Sequence, residues 1–236
     1  TALVVSYAVR GRMKIDHDIA TLVGVGSSIC GGSAIAAAAP VIKASDEDIA
    51  QSISVIFLFN VIAAFLFPTL GAILGFNDMG FGMWAGTAIN DTSSVVAAGQ
   101  TWASASGSDT ALNYATIVKL TRTLAIIPIC LGLAYLTSKR KATTSEVKIS
   151  SIFPMFIIYF LGASIINTFA GSHFDFFQFL PAIGKFMIAM AMAAIGLNTN
   201  LVKLIKTGGK PILLGLICWF CIAVVSLAMQ HLLNIW

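Results

Sequence analysis

The sequence predicts an all-α fold, a polytopic transmembrane helical bundle in which some helices are interrupted by glycine. Three observations carry that prediction. Of the 236 residues, 58% are hydrophobic and only 10% charged, and the mean hydropathy is +0.91, well outside the range of soluble domains. Apolar runs near residues 19–42, 49–75, 81–102, 110–137, 150–170, 179–197 and 211–236 are each close to or above the roughly 20 residues that cross a hydrocarbon core as a helix. Segments that alternate apolar and polar residues, the mark of a transmembrane β-barrel, are absent. Before these seven spans stands a remnant at 1–9, "TALVVSYAV", which reads as the end of a span whose start is missing. Residues 1–236 therefore read as a single transmembrane domain, the carboxy-terminal part of a longer protein.

The connections set the topology. Ten of the fourteen Lys and Arg residues fall in three short connections, 10–18, 138–148 and 198–210, and these alternate with acidic or neutral ones such as "KASDED". With one crossing per run, all three basic connections lie on one side, which is cytoplasmic by the positive-inside rule. Topology thus accounts for the net charge of +4 without a nucleic-acid partner. Cys30, Cys130, Cys218 and Cys221 lie inside apolar runs, where small apolar packing is the expected role. The pair in "CWFC" sits at lipid depth, away from the accessible thiolate that redox chemistry needs. No metal or other cofactor is expected.

Along the chain, the first run holds "GVGSSICGGSAIAAAAP" (Gly24–Pro40), whose four glycines, three serines and proline make a poor helix. An unwound backbone in lipid survives only where protein or a cavity satisfies its polar groups. The third run repeats the design. "GSSICGGSAIAA" from Gly26 and "GTAINDTSSVVAA" from Gly86 match at an offset of sixty: Gly26 with Gly86, Ser27 with Thr87, Ile29 with Ile89, Ser33 with Ser93, Ala37 with Ala97. Interrupted helices of this kind aim half-helix amino termini at anionic groups. Gly31 and Gly32 permit close approach of a ligand or a neighbouring helix, while Ser27, Ser28 and Ser33 supply hydroxyls. Close helix packing through small residues is the competing explanation.

Asp91, Lys119 and Arg122 lie inside spans rather than at their ends. On insertion scales each costs about 2.5–3.5 kcal/mol at the helix centre, so each needs a partner. Asn113, Thr116 and Thr123 extend the stripe of Lys119 and Arg122, and Thr87, Asn90, Asp91 and Ser94 share a face of their own helix. Two cations against one carboxylate leave a positive excess that an anion can compensate. Asp91 then sets the charge balance or couples movement to a proton.

"GSSICGGSAIAAAAPVIKA", "GTAINDTSSVVAAG", "VKLTR" and "AMAMAAIGLNTNLVKLIKTGGKP" resemble, in that order, the signature segments of the YeiH family, bacterial proteins assigned, much of the family by homology, to sulfate export. The resemblance implies a multi-pass secondary transporter of the bacterial inner membrane, moving sulfate or a related small sulfur-containing anion such as a sulfonate by alternating access. It also implies about a hundred more residues at the amino end. The broken-helix pattern is similar to the fold shared by sodium/proton antiporters and bile-acid symporters, an analogy at the level of fold. Ser27, Ser28, Gly31, Gly32, Ser33, Thr87, Asn90, Thr92, Lys119 and Arg122 are the expected substrate-binding residues, with Asp91 for coupling or charge balance. The lipid bilayer is the expected surrounding, and assembly into a homo-oligomer is compatible with it. A cation/proton antiporter with Asp91 as ion site is the alternative. An enzyme is not expected: an intramembrane hydrolase using Ser27, Ser28 or Cys30 would lack a base, because His17, His173 and His231 lie in connections or near a span end.

Overall fold

The computed structural model describes residues 1–140 and 209–235, together with isolated helical positions between 159 and 190. The runs expected at 150–170 and 179–197, and most of the basic connections 138–148 and 198–210, lie outside the described residues. The helices below belong to one compact unit, formed by Thr1–Val147 and Leu201–Trp236.

All the regular structure among the described residues is helical. The amino-terminal remnant extends as α1 (Ala2–Met13), so Arg10 and Arg12 sit in its last turn, where the carboxyl-end dipole favours them. Asp16 caps α2 (His17–Ser28), and α3 (Gly32–Ile42) follows after a three-residue interruption. Helix α4 (Asp46–Ile73) opens with Ser45, whose hydroxyl accepts from the Asp48 amide at 3.2 Å while three acids occupy the first turn. That is how the expected acidic connection becomes a helix start. Asn77 caps α5 (Asp78–Ala88), and a second interruption separates it from α6 (Thr92–Ser106). Helices α7 (Thr110–Thr123) and α8 (Ile126–Arg140) are joined by a tight turn, with Leu124 and Ala125 bonded back to Thr121 and Arg122. The last described helix is α9 (Gly209–Leu233).

Two of the seven expected spans, 19–42 and 81–102, are thus each a pair of short helices. Among the described residues, the stretches that remain long and apolar enough to cross a membrane are Asp46–Ile73, Thr110–Thr137, which takes in α7 and most of α8, and Gly209–Leu233. Their outer faces agree with a lipid surrounding: Phe65 on α4, Ile117 on α7 and Phe220 on α9 are all strongly exposed.

Helix α7 packs along α5 and α6, where glycines bring its neighbours close. A Cβ on Gly86 would stand 2.7 Å from the Ala115 carbonyl oxygen, and one on Gly82 would stand 2.8 Å from that of Ala111. Backbone therefore meets backbone along α5 and α7, the small-residue seam by which membrane helices associate. Gly99 on α6 gives α7 a similar approach at Leu112. On the other side, Phe67 of α4 stacks on Trp84 of α5 at 4.1 Å, and Trp219 of α9 packs against Phe59 and Phe67. These contacts hold the two interruptions beside the polar face of α7.

Candidate functional site

The interruptions fall in the same register. Ile29 ends α2 and Ile89 ends α5, the sixty-residue offset at which the two segments match. At the first break Gly31 adopts φ 71° and ψ −125°, a conformation open in practice to glycine alone. Its amide donates back to the Gly26 carbonyl at 3.0 Å. At the second break Ile89 and Asp91 are extended. The Asp91 carboxylate accepts from the amides of Ser93 (3.1 Å) and Ser94 (3.4 Å) and from the Ser93 hydroxyl, so it caps α6. An acid there also offsets the positive end of the helix dipole.

Both cations of α7 are aimed at backbone. The Lys119 ammonium, fully buried, donates to the carbonyls of Ile29 (2.5 Å), Ile89 (3.3 Å) and Asn90. Arg122 donates from Nε to Ser28 O (2.9 Å), from Nη2 to Ser27 O (2.7 Å) and Asn90 Oδ1 (3.0 Å), and from Nη1 to Thr87 O. The carbonyls of Ser27, Ser28, Ile29, Thr87 and Ile89 belong to the carboxyl ends of α2 and α5, which leave them without intrahelical partners, the Asn90 oxygens belong to the second interruption, and the negative helix ends attract the charges. The backbone therefore supplies all the partners of Lys119 and, beside the Asn90 side-chain oxygen, those of Arg122. Among the described residues neither has a carboxylate within ion-pair distance.

The structure brings Ser27, Ser28, Gly31, Asn90, Lys119 and Arg122 together, though mostly through main-chain atoms. Ser27 is buried with its hydroxyl unpartnered, whereas the Ser28 hydroxyl donates to Gly24 O within α2. Gly32 begins α3, and exposed Ser33 donates to the Cys30 carbonyl and thiol. Thr87 presents its carbonyl to Arg122, while its hydroxyl bonds Met83 O and lies 2.5 Å from Ser226 Oγ on α9. Thr92 is the half-buried first residue of α6. Of the stripe extending from Lys119 and Arg122, Asn113 is exposed, and the Thr116 and Thr123 hydroxyls bond carbonyls of their own helix.

Asn60, the one polar residue of "VIFLFNVIAAF", is the site residue that sequence reasoning passed over. It is completely buried in α4 and accepts from the Asn90 amide at 3.1 Å through Oδ1. Its Nδ2 has no partner and lies 3.5 Å from where a Cβ on Gly31 would stand. Gly31 is the amino cap of α3, and no side chain caps that helix. An unpartnered amide donor thus lies beside the residue that opens α3, a helix end that offers backbone N–H groups of its own. A lone asparagine in an apolar run was the available signal, since a buried amide needs a reason to be there.

The charges can be added. Each helix end counts as about half an elementary charge, so the two carboxyl ends and two amino ends cancel. Lys119 and Arg122 against Asp91 leave about one net positive charge. At the amino end of α3 no side chain covers the positive end of the helix dipole.

The profile of a family described as Conserved hypothetical protein 698 matches residues 1–215. A UPF0324 membrane protein of Streptococcus pyogenes serotype M3 is 57% identical over 242 residues, an alignment that takes in all of this chain and 71% of the relative. A UPF0324 membrane protein of Streptococcus mutans is 57% identical over 244 residues, again with all of this chain and 71% of the relative. One of Fusobacterium nucleatum is 53% identical over 250 residues, with all of this chain and 72% of the relative. No solved structure matches. Over half of the residues are shared along the whole chain with each of these membrane proteins, and the chain belongs to the family of Conserved hypothetical protein 698, the UPF0324 membrane proteins.

Proposed function

We propose that the protein is a secondary transporter of a small sulfur-containing anion, sulfate or a sulfonate, which it exports from the bacterial cytoplasm across the inner membrane by alternating access. The reading rests on one observation: the amino end of α3 is uncapped and faces the unpartnered Asn60 Nδ2, while every other end at the two interruptions is engaged. Backbone amides at a half-helix amino terminus are a ready anion site. In this arrangement Lys119 and Arg122 hold the frame and supply field, and the anion itself meets Gly32, the Ser33 and Ala34 amides and Asn60. Asp91 fixes the charge balance by capping α6. With about one positive charge uncompensated, a sulfonate monoanion leaves the site neutral, and sulfate, a dianion, does so when it moves with one proton.

The test is flux through the purified full chain in proteoliposomes, with radiolabelled sulfate or methanesulfonate and an imposed pH gradient. Saturable flux above that of protein-free vesicles is expected for at least one of the two anions. Sulfate flux, unlike sulfonate flux, should rise when protons can move with it. Absence of saturable flux for both anions, in both directions and with either gradient, would remove the reading.

A further inference from the structure

We propose that Lys119 is a tethered cation: its ammonium fills a main-chain carbonyl site that would otherwise take a monovalent cation, so the protein needs no alkali or ammonium ion from solution at this place. The ligands are the argument. Three carbonyl oxygens, from Ile29 at one interruption and from Ile89 and Asn90 at the other, converge on one nitrogen. Lys119 is completely buried, so its ammonium has these carbonyls in place of water. An ammonium has three N–H donors, which is the number of carbonyls it meets. Unwound carbonyls and half-helix carboxyl ends are also the ligands with which membrane proteins hold sodium or potassium.

The surroundings leave that role to Lys119 alone. The next carbonyls along both helix ends, those of Ser27, Ser28 and Thr87, are taken by Arg122. Asp91, the acid of the interruptions, is directed at the amides of α6. Without the lysine side chain, three buried carbonyls face a cavity with room for a small cation.

The consequence for transport rests on the function proposed above: anion flux should be equal in sodium, potassium and N-methylglucamine media. The cage itself is tested without flux. Thermal unfolding of the full chain in detergent is followed at matched ionic strength in chlorides of sodium, potassium, ammonium and N-methylglucamine, the last too large to enter. Wild-type Tm should be the same in all four. Lys119→Ala should have a lowered Tm in N-methylglucamine and regain roughly half or more of the loss in at least one small cation, with the shift growing with the logarithm of concentration. Lys119→Gln keeps two donors and fills the space, and should not respond to cations.

A wild-type Tm that rises with a small cation overturns the proposal, as does a Lys119→Ala protein with the same Tm in all four salts. A Lys119→Gln response equal to that of Lys119→Ala does so too. If Lys119→Ala cannot be isolated in N-methylglucamine, recovery of folded protein in ammonium supports the cage and failure in all four salts overturns it. None of these outcomes involves an anion, so failure of the cage and failure of the transport reading are seen separately.

Discussion

Arg122→Leu is expected to destabilise the protein by about 3 kcal/mol or more, because it strands three carbonyls and an amide oxygen that are at least partly buried, and an unsatisfied buried group costs about 1–3 kcal/mol. The oxygens are those of Ser27, Ser28, Thr87 and Asn90, contributed by both interruptions. For a chain of this size such a loss lowers Tm by roughly 6–12 °C, measurable by tryptophan fluorescence on the detergent-solubilised protein. Arg122→Lys keeps the charge but not the fork that reaches separate carbonyls, and should fall between. Arg12→Gln, at an exposed position, should stay within about 0.5 kcal/mol. If Arg122 were mainly a ligand of the anion, its loss would raise KM and leave Tm in place. A frame residue loses Tm first.

Asn60→Asp should behave in the opposite way. The substitution is isosteric, and one carboxylate oxygen still accepts from the Asn90 amide as Oδ1 does now. The other replaces the free Nδ2 and places negative charge at the uncapped amino end of α3. That end welcomes the charge as a cap, so Tm should hold or rise. An anion bound there as proposed would, however, lose a donor and meet a like charge. Flux of sulfate or methanesulfonate in proteoliposomes should fall roughly 10- to 100-fold, the range for losing one hydrogen bond to a charged group. Unchanged flux would move the anion away from α3.

These two substitutions separate what the sequence reveals from what it hides. The interruptions were legible, because glycine and serine inside an apolar run have few uses and because the two segments match at an offset that recurs as Ile29 and Ile89 in the fold. The cost of Lys119 and Arg122 in lipid was legible too. Their partners were not, because a carbonyl oxygen is common to every residue and becomes a ligand only where a helix ends. In the sequence Asp91 reads as a charge, although an acid followed by "TSS" is also a helix cap. Thr87 illustrates a further limit. Sequence spacing put it on the polar face, but its hydroxyl turned to Ser226 on a helix 139 residues away. Asn60 is a weaker signal, because a single amide among Phe, Leu and Val has no periodicity to support it, and its place in the site shows only in the fold, where its free Nδ2 lies beside Gly31.

The central claim is that the cations secure the helix ends and the anion meets the amino end of α3. Selenate has the shape and charge of sulfate, and its selenium can be located by anomalous diffraction from crystals of the full chain. A selenium peak is expected at the first turn of α3, within reach of the Gly32, Ser33 and Ala34 amides and of Asn60 Nδ2, with Lys119 and Arg122 still on their carbonyls. A peak against the Arg122 guanidinium, with its bonds to Ser27, Ser28 and Thr87 given up, would contradict it.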